Sequence, residues 1–175
     1  MAKSLLRSTY FLFLLFFVAC GDGDEDVTEV VRLSVDDSLI GVEEDVVVRA
    51  GISFSRDDVF RDNDEINLIV RLPQEVFFIR GTSEVQGSFD DEDIGAQIFS
   101  CPDGETVLVF ELDENDLRFA DNPSGDSDAE ISFTIGGSAP LDAGIISAIA
   151  VDTIFFSACE DTVLFNAQTQ LTVVG

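Results

Sequence analysis

Residues 46–54, VVVRAGISF, alternate strictly: Val46, Val48, Ala50, Ile52 and Phe54 fall on one side of an extended chain, and Arg49, Gly51 and Ser53 on the other. Successive side chains of a strand point to opposite faces, so a period of two gathers the apolar residues onto one surface, whereas a helical period would scatter them. That surface must be buried against another layer, which commits this stretch to a half-buried strand. The same period runs through Val31, Leu33 and Val35 before it and through Ile66, Leu68, Val70 and Leu72 after it. Pro73 ends the later run because it has no N–H to give to a ladder.

Residues 76–79, 96–99, 107–112 and 131–135 extend the series, with Ser132 and Thr134 on the wet side of the last, and Gly, Asp, Asn, Ser and Pro clusters separate them. Residues 145–156 are more continuously apolar. Their β-branched and aromatic content, with Gly136, Gly137 and Gly144 as punctuation, predicts a central strand rather than a helix. Residues 163–174 supply one or two final strands. Many short strands, frequent turns and no amphipathic helical period predict an all-β fold, an antiparallel β-sandwich built as one domain over residues 27–175.

The chain has 35 acidic and 9 basic residues, 16 Phe and no His. Its only lysine, Lys3, and one arginine, Arg7, precede Cys20, so the part from Cys20 onward carries 7 basic against 35 acidic residues, a balance of −28. Such a charge repels the phosphates of nucleic acids and anionic lipid headgroups, which bind through clustered Lys and Arg. Nucleic acid is therefore excluded as a partner. High charge with abundant Val, Ile, Leu and Phe gives only half of the disorder signature, so a folded, acid-coated domain is expected. Self-repulsion of this size is relieved by salt or divalent cations, which points to saline or calcium-containing surroundings; simple solubility is the alternative.

Before the strands, Lys3 and Arg7 lead into an uncharged apolar core over residues 10–19, and a small residue, Ala19, stands before Cys20. This is the layout of a cleaved export signal over residues 1–19, and it is shorter than the roughly 20 apolar residues a membrane-spanning helix needs. The run Phe16-Phe17-Val18-Ala19-Cys20 resembles the lipobox of bacterial lipoproteins, with Phe17 where that family usually has Leu. The resemblance implies cleavage before Cys20 and a Cys20 that carries a diacylglycerol thioether and an acylated amino group, palmitate being a typical acyl chain. Two or more chains give stable anchoring where one holds only marginally. Gly21 after the cysteine, rather than Asp, implies by the same resemblance an outer-membrane location in the cell envelope. Residues 20–26 then form the lipidated cysteine and an acidic tether. Asp22, Asp24 and Asp26 imitate the start of a calcium loop, but Val27 replaces its turn glycine and Leu33 stands where its last carboxylate belongs.

A second resemblance rests on Leu72-Pro73-Gln74-Glu75-Val76, leading through Phe77 and Phe78 to Gly81-Thr82, and on the later strands over residues 107–112 and 131–135. In this order they are similar to prokaryotic immunoglobulin-like repeat domains of cell-surface proteins. That implies an immunoglobulin-like sandwich that spaces, displays or binds. The lack of lysine after Lys3 excludes the Lys-Asn isopeptide bonds of some related adhesins.

With Cys20 assigned to lipid, Cys101 and Cys159 remain, an even pair in an exported chain, and a disulfide is expected; two separate buried thiols are the alternative. Acidic clusters at Asp57, Asp58, Asp62, Asp64 and Glu65, at Asp90, Asp91, Glu92 and Asp93, and at Asp121, Asp126 and Asp128 offer hard oxygen ligands. None completes a calcium loop. Solvated loop tips are the bland reading, and a weak calcium site at Asp62, Asp64 and Glu65 or at Asp90, Asp91 and Asp93 is the sharp one; no other cofactor is expected.

Without His or Lys after Cys20 there is no Ser-His or Ser-Lys nucleophile, no His metal ligand and no Schiff base. A carboxylate pair could still serve as acid and base, as in glycoside hydrolases, but Trp is absent and Tyr10, the only Tyr, lies in the signal. The expected function is therefore a noncatalytic, membrane-anchored envelope lipoprotein that binds, adheres or spaces, with the lipid bilayer and an envelope or surface protein as partners. An exported carboxylate-pair enzyme and a calcium-dependent adhesive module are the alternatives.

Overall fold

The computed structural model describes residues 30–55, 65–87, 92–113, 126–151, 159 and 165–175. The export segment, Cys20 and the acidic tether lie outside them. Two six-stranded sheets face each other as a sandwich. The first runs β1 (Val30–Val35), β3 (Asp45–Ser55), β10 (Asp126–Gly137), β6 (Glu84–Gly87), β7 (Glu92–Asp93), with β5 (Val76–Phe78) against the far end of β10. The second runs β2 (Leu39–Gly41), β12 (Ala167–Val174), β11 (Leu141–Val151), β4 (Glu65–Leu72), β9 (Thr106–Asp113), β8 (Ala96–Ser100).

The alternation in the sequence maps directly onto this architecture. Val46, Val48, Ala50 and Ile52 of β3 are buried between the sheets, while Arg49, Gly51 and Ser53 face outward and are half-exposed. Ile131, Phe133 and Ile135 of β10 meet them from the same sheet, and Leu68, Val70, Leu72, Leu108, Phe110 and Leu171 close the core from the other. At its centre Phe110 and Phe133 lie 5.3 Å apart between ring centroids, and Phe78 meets both edge-on at 6.4 and 6.1 Å. Such offset and edge contacts match the ring quadrupoles and add to the hydrophobic burial.

The antiparallel expectation fails at one pair, because β2 lies parallel to β12. The cause is a strand that changes sheets. β1 ends where the Asp36 N–H donates to the Val47 carbonyl at 3.0 Å; the Leu39 N–H then donates to the Asp37 carboxylate at 2.9 Å, a local turn that lets the chain step across. β2 keeps the heading of β1 and so meets β12 in parallel.

The Leu-Pro segment makes a second crossing. Leu72 ends β4 in the second sheet, the Val76 N–H donates to the Pro73 carbonyl at 3.0 Å, and Val76 opens β5 in the first. Between β5 and β6 a side chain completes the ladder along β10: the Ile79 N–H donates to the Thr134 carbonyl at 3.0 Å, and the Thr82 hydroxyl donates to the Ile79 carbonyl at 2.7 Å and accepts from the Thr134 N–H at 3.0 Å. Gly81, at φ 78°, supplies the left-handed turn that brings it there. Thr82→Val keeps the shape but leaves the Thr134 N–H and the Ile79 carbonyl without this partner. We expect it to destabilise by about 1–3 kcal/mol in urea denaturation, whereas Thr82→Ser should stay near wild type.

Gly144 is not the strand boundary its composition implies. It lies inside β11, just after Ala143 at φ 55°, where the register against β12 shifts between Leu141 and Gly144. A Cβ there would stand 2.3 Å from the Leu141 side chain, so any larger residue in this bulge requires Leu141 to shift. β11 does take the predicted central position, between β12 and β4. The two-, three- and four-residue strands β7, β2 and β6 are too short to show a period.

Candidate functional site

The two outer faces of the sandwich differ in character. On the first sheet the outward residues of β1, β3 and β10 are mostly polar, with Val47 the apolar one on β3. Arg49 reaches Asp36 with both guanidinium nitrogens, at 2.5 and 3.1 Å, and its Nε stands 3.7 Å from Glu130. The Ser53 hydroxyl donates to Asp128 at 2.5 Å. Gly51, with no side chain, leaves a depression of about 310 Å³ bordered by Arg32, Ser53, Gln86, Asp128 and Glu130. These ion pairs are exposed, each worth about 0–1 kcal/mol, and organise a surface more than they stabilise a fold. Asp128 and Glu130 form a carboxylate pair on one strand face, but both are exposed above an open depression rather than a cleft that excludes water.

The outer face of the second sheet carries a second, smaller core. Ile69 and Val107 are fully buried there, packed with Cys101, Val109, Ile149, Val151, Cys159 and Phe165. Cys101 and Cys159 are joined by a disulfide, with Cα atoms 5.4 Å apart. The local sequence Cys101-Pro102-Asp103-Gly104-Glu105 explains how Cys101 reaches this face. Pro102 presets the first turn position, the Gly104 N–H donates to the Cys101 carbonyl at 3.0 Å, and Gly104 adopts φ 92°. The Cys101 N–H then bonds the Glu105 carbonyl at 2.9 Å, which closes a tight hairpin between β8 and β9. Beside it the Arg71 guanidinium lies 5.0 Å from the Phe165 ring centroid and its Nε 3.3 Å from the Glu105 carboxylate. A cation over an aromatic face at this distance is attracted by the ring quadrupole, so Arg71 ties β4 to the hairpin and to the segment that enters β12.

The sequence-derived candidates fall unevenly on this frame. Cys101 and Cys159 come together. Asp62, Asp64, Asp90 and Asp91 lie outside the described residues; Glu65 opens β4 opposite Asp113, and Asp93 lies in β7 opposite Glu84. Among the described residues no group of three or more His, Cys, Asp or Glu is placed to hold a metal ion, and no helix is long and apolar enough to cross a membrane. Sequence reasoning missed Arg71, Glu105 and Phe165. Its signal would have been the outward parity of apolar Ile69, Val107 and Val109 on strands whose inner faces were already apolar.

No family model matches the chain, and no curated protein matches it. Among solved structures it is similar to the major pilin SpaA of Corynebacterium diphtheriae, at 16% identity and a TM-score of 0.55 over 81% of this chain and 34% of that one. It is similar also to the N-terminal domain of an adhesin of Streptococcus gordonii, at 12% identity and 0.53 over 82% and 32%. The major pilin SpaD of C. diphtheriae matches at 11% identity and 0.50 over 83% and 34%. The chain thus spans about a third of the length of each. The likeness is one of fold, an immunoglobulin-like β-sandwich.

Proposed function

We propose that this protein is a lipid-anchored module of the bacterial cell envelope, held through Cys20 and acting in binding, adhesion or spacing rather than catalysis. The observation that carries the reading is the sandwich itself, of the fold found in pilin and adhesin domains, beginning at Val30 only ten residues after Cys20. Ten extended residues reach about 35 Å, so the domain stays close to the bilayer. Its balance of −28 repels anionic headgroups, which leaves the lipid on Cys20 as the attachment and the acid-coated domain standing off the surface. The major pilin SpaA belongs to a pilus assembly with stabilizing isopeptide bonds. Here the disulfide between Cys101 and Cys159 takes the part of the covalent fastener, in keeping with an oxidising compartment.

The test is the mass of the mature N-terminal peptide together with detergent-phase partitioning. We expect cleavage before Cys20, a diacylglycerol thioether and an acylated amino group, and a Cys20→Ser variant that passes from the detergent phase to the aqueous phase, since each buried methylene contributes about 0.8 kcal/mol and the variant loses all of them. An unmodified Cys20, or cleavage elsewhere, overturns the anchor.

A further inference from the structure

The geometry points to β8 as an open docking edge, and to an extended protein strand with an uncharged middle and basic ends as the partner it fits. β8 is the last strand of the second sheet and among the described residues pairs only with β9, in unbroken register from Ala96 opposite Phe110 to Ser100 opposite Thr106. The phase of the ladder follows from the hairpin. The Cys101 N–H bonds the Glu105 carbonyl, so 101 and 105 form a hydrogen-bonded pair, and antiparallel alternation makes 99 with 107 and 97 with 109 bonded pairs too. The N–H and C=O groups of Ala96, Ile98 and Ser100 therefore point away from β9.

Edges like this recruit other strands unless charge, proline, a bulge or short length guards them. β8 has none of the first three, and from Ile94 to Pro102 the chain carries no charged residue. The other edges are poorer. β7 is two acidic residues, β2 is three residues long, and β1 has Arg32 within it and Asp36 just beyond. Beside the open edge Phe99 is 40% exposed on the outer face, ready to meet an apolar side chain of an added strand. Strand addition takes its affinity from backbone hydrogen bonds and its selectivity from such alternate side chains.

Charge selects the occupant. Exposed Asp93 and Asp103 lie three residues before and three residues after β8, and Glu111 is exposed on β9. A second copy would bring its own −28 against these carboxylates, whereas Lys or Arg at the ends of an incoming strand would neutralise them. This inference rests on reading the domain as a binding module but not on the lipid anchor.

The test uses the purified mature protein in neutral detergent and the peptide Arg-Arg-Thr-Val-Thr-Val-Thr-Arg-Arg, with a Glu-flanked sibling as control. We expect the Arg-flanked peptide to slow amide exchange at Ala96, Ile98 and Ser100 by about tenfold or more, leave Gln97 and Phe99 as they were, and outcompete the sibling. Ser100→Pro removes an outward N–H without breaking a bond to β9, and Phe99→Lys sets a repelling cation on the outer face; each should weaken binding by about tenfold with an unchanged melting temperature. Protection elsewhere, equal binding of the sibling, or unaltered binding by Phe99→Lys overturns the proposal. So does sedimentation showing that the protein pairs with itself through β8. None of these outcomes touches the mass of the Cys20 peptide, so the edge and the anchor fail separately.

Discussion

Phe133→Ala is expected to destabilise the domain by about 3–5 kcal/mol, the range for removing a fully enclosed aromatic side chain. Phe133 is buried between the sheets and touches the rings of Phe110 and Phe78. Truncation removes its transfer free energy and leaves a cavity walled by β-sheet on both sides, which cannot collapse without moving one sheet against the other. For a domain of this length, with a stability of about 5–15 kcal/mol, the loss should lower the melting temperature by about 6–20 °C. Phe133→Leu should recover most of it, because it keeps the volume closer to native. Urea denaturation at fixed salt is the measurement. A loss below about 1 kcal/mol for Phe133→Ala would mean that the ring does not fill the sandwich core.

Phe133 was also legible in the sequence. Ile131, Phe133 and Ile135 alternate with Ser132 and Thr134, and this parity decided which side chains enter the core of β10. The same holds for β3 and β4. Legibility failed where a feature depends on two strands at once. The parallel pairing of β2 follows from the sheet change at residues 36–38, which leaves no period to read. Thr82 reads as a turn residue, and its hydroxyl takes part in a ladder only because β10 passes beside it. Gly144 looks like a boundary because a bulge and a strand end both call for glycine. The parity of the cysteines predicted a bridge but not its face, which is set by the hairpin over residues 101–105. The edge at β8 was wholly hidden, since only the order of strands shows which one has a single partner among the described residues.

Charge and topology converge on the same picture of the surface. The polar face of the first sheet carries paired carboxylates and guanidinium groups, which keep an acid-coated molecule soluble and add little stability. The second sheet carries apolar side chains outward as well as inward, so its outer face has to be covered. Cys159 and Phe165 supply part of that cover, and the disulfide pins it to the β8–β9 hairpin.

Removing this bridge should therefore have two separable effects. With a sequence separation of 58 residues, the cross-link restricts the unfolded chain by about 4 kcal/mol in the chain-entropy account. Cys101→Ala/Cys159→Ala, and the reduced wild type, should show a lower urea midpoint with a steeper dependence on urea, because the uncrosslinked chain exposes more surface when it unfolds. The second effect is local. Without the bridge the Arg71 contact to Phe165 and apolar packing are what hold the cover among the described residues, so amides of β12 near Ala167 should exchange faster before global unfolding, while those of β3 and β10 should not. Arg71→Met separates the two: it weakens the cover, keeps the cross-link, and should raise local exchange while lowering the unfolding free energy by no more than about 1 kcal/mol. An unchanged midpoint in the double variant would show that the cross-link does not restrict the unfolded chain. Uniform acceleration across both sheets would show that the second core is not a separate unit but part of the first.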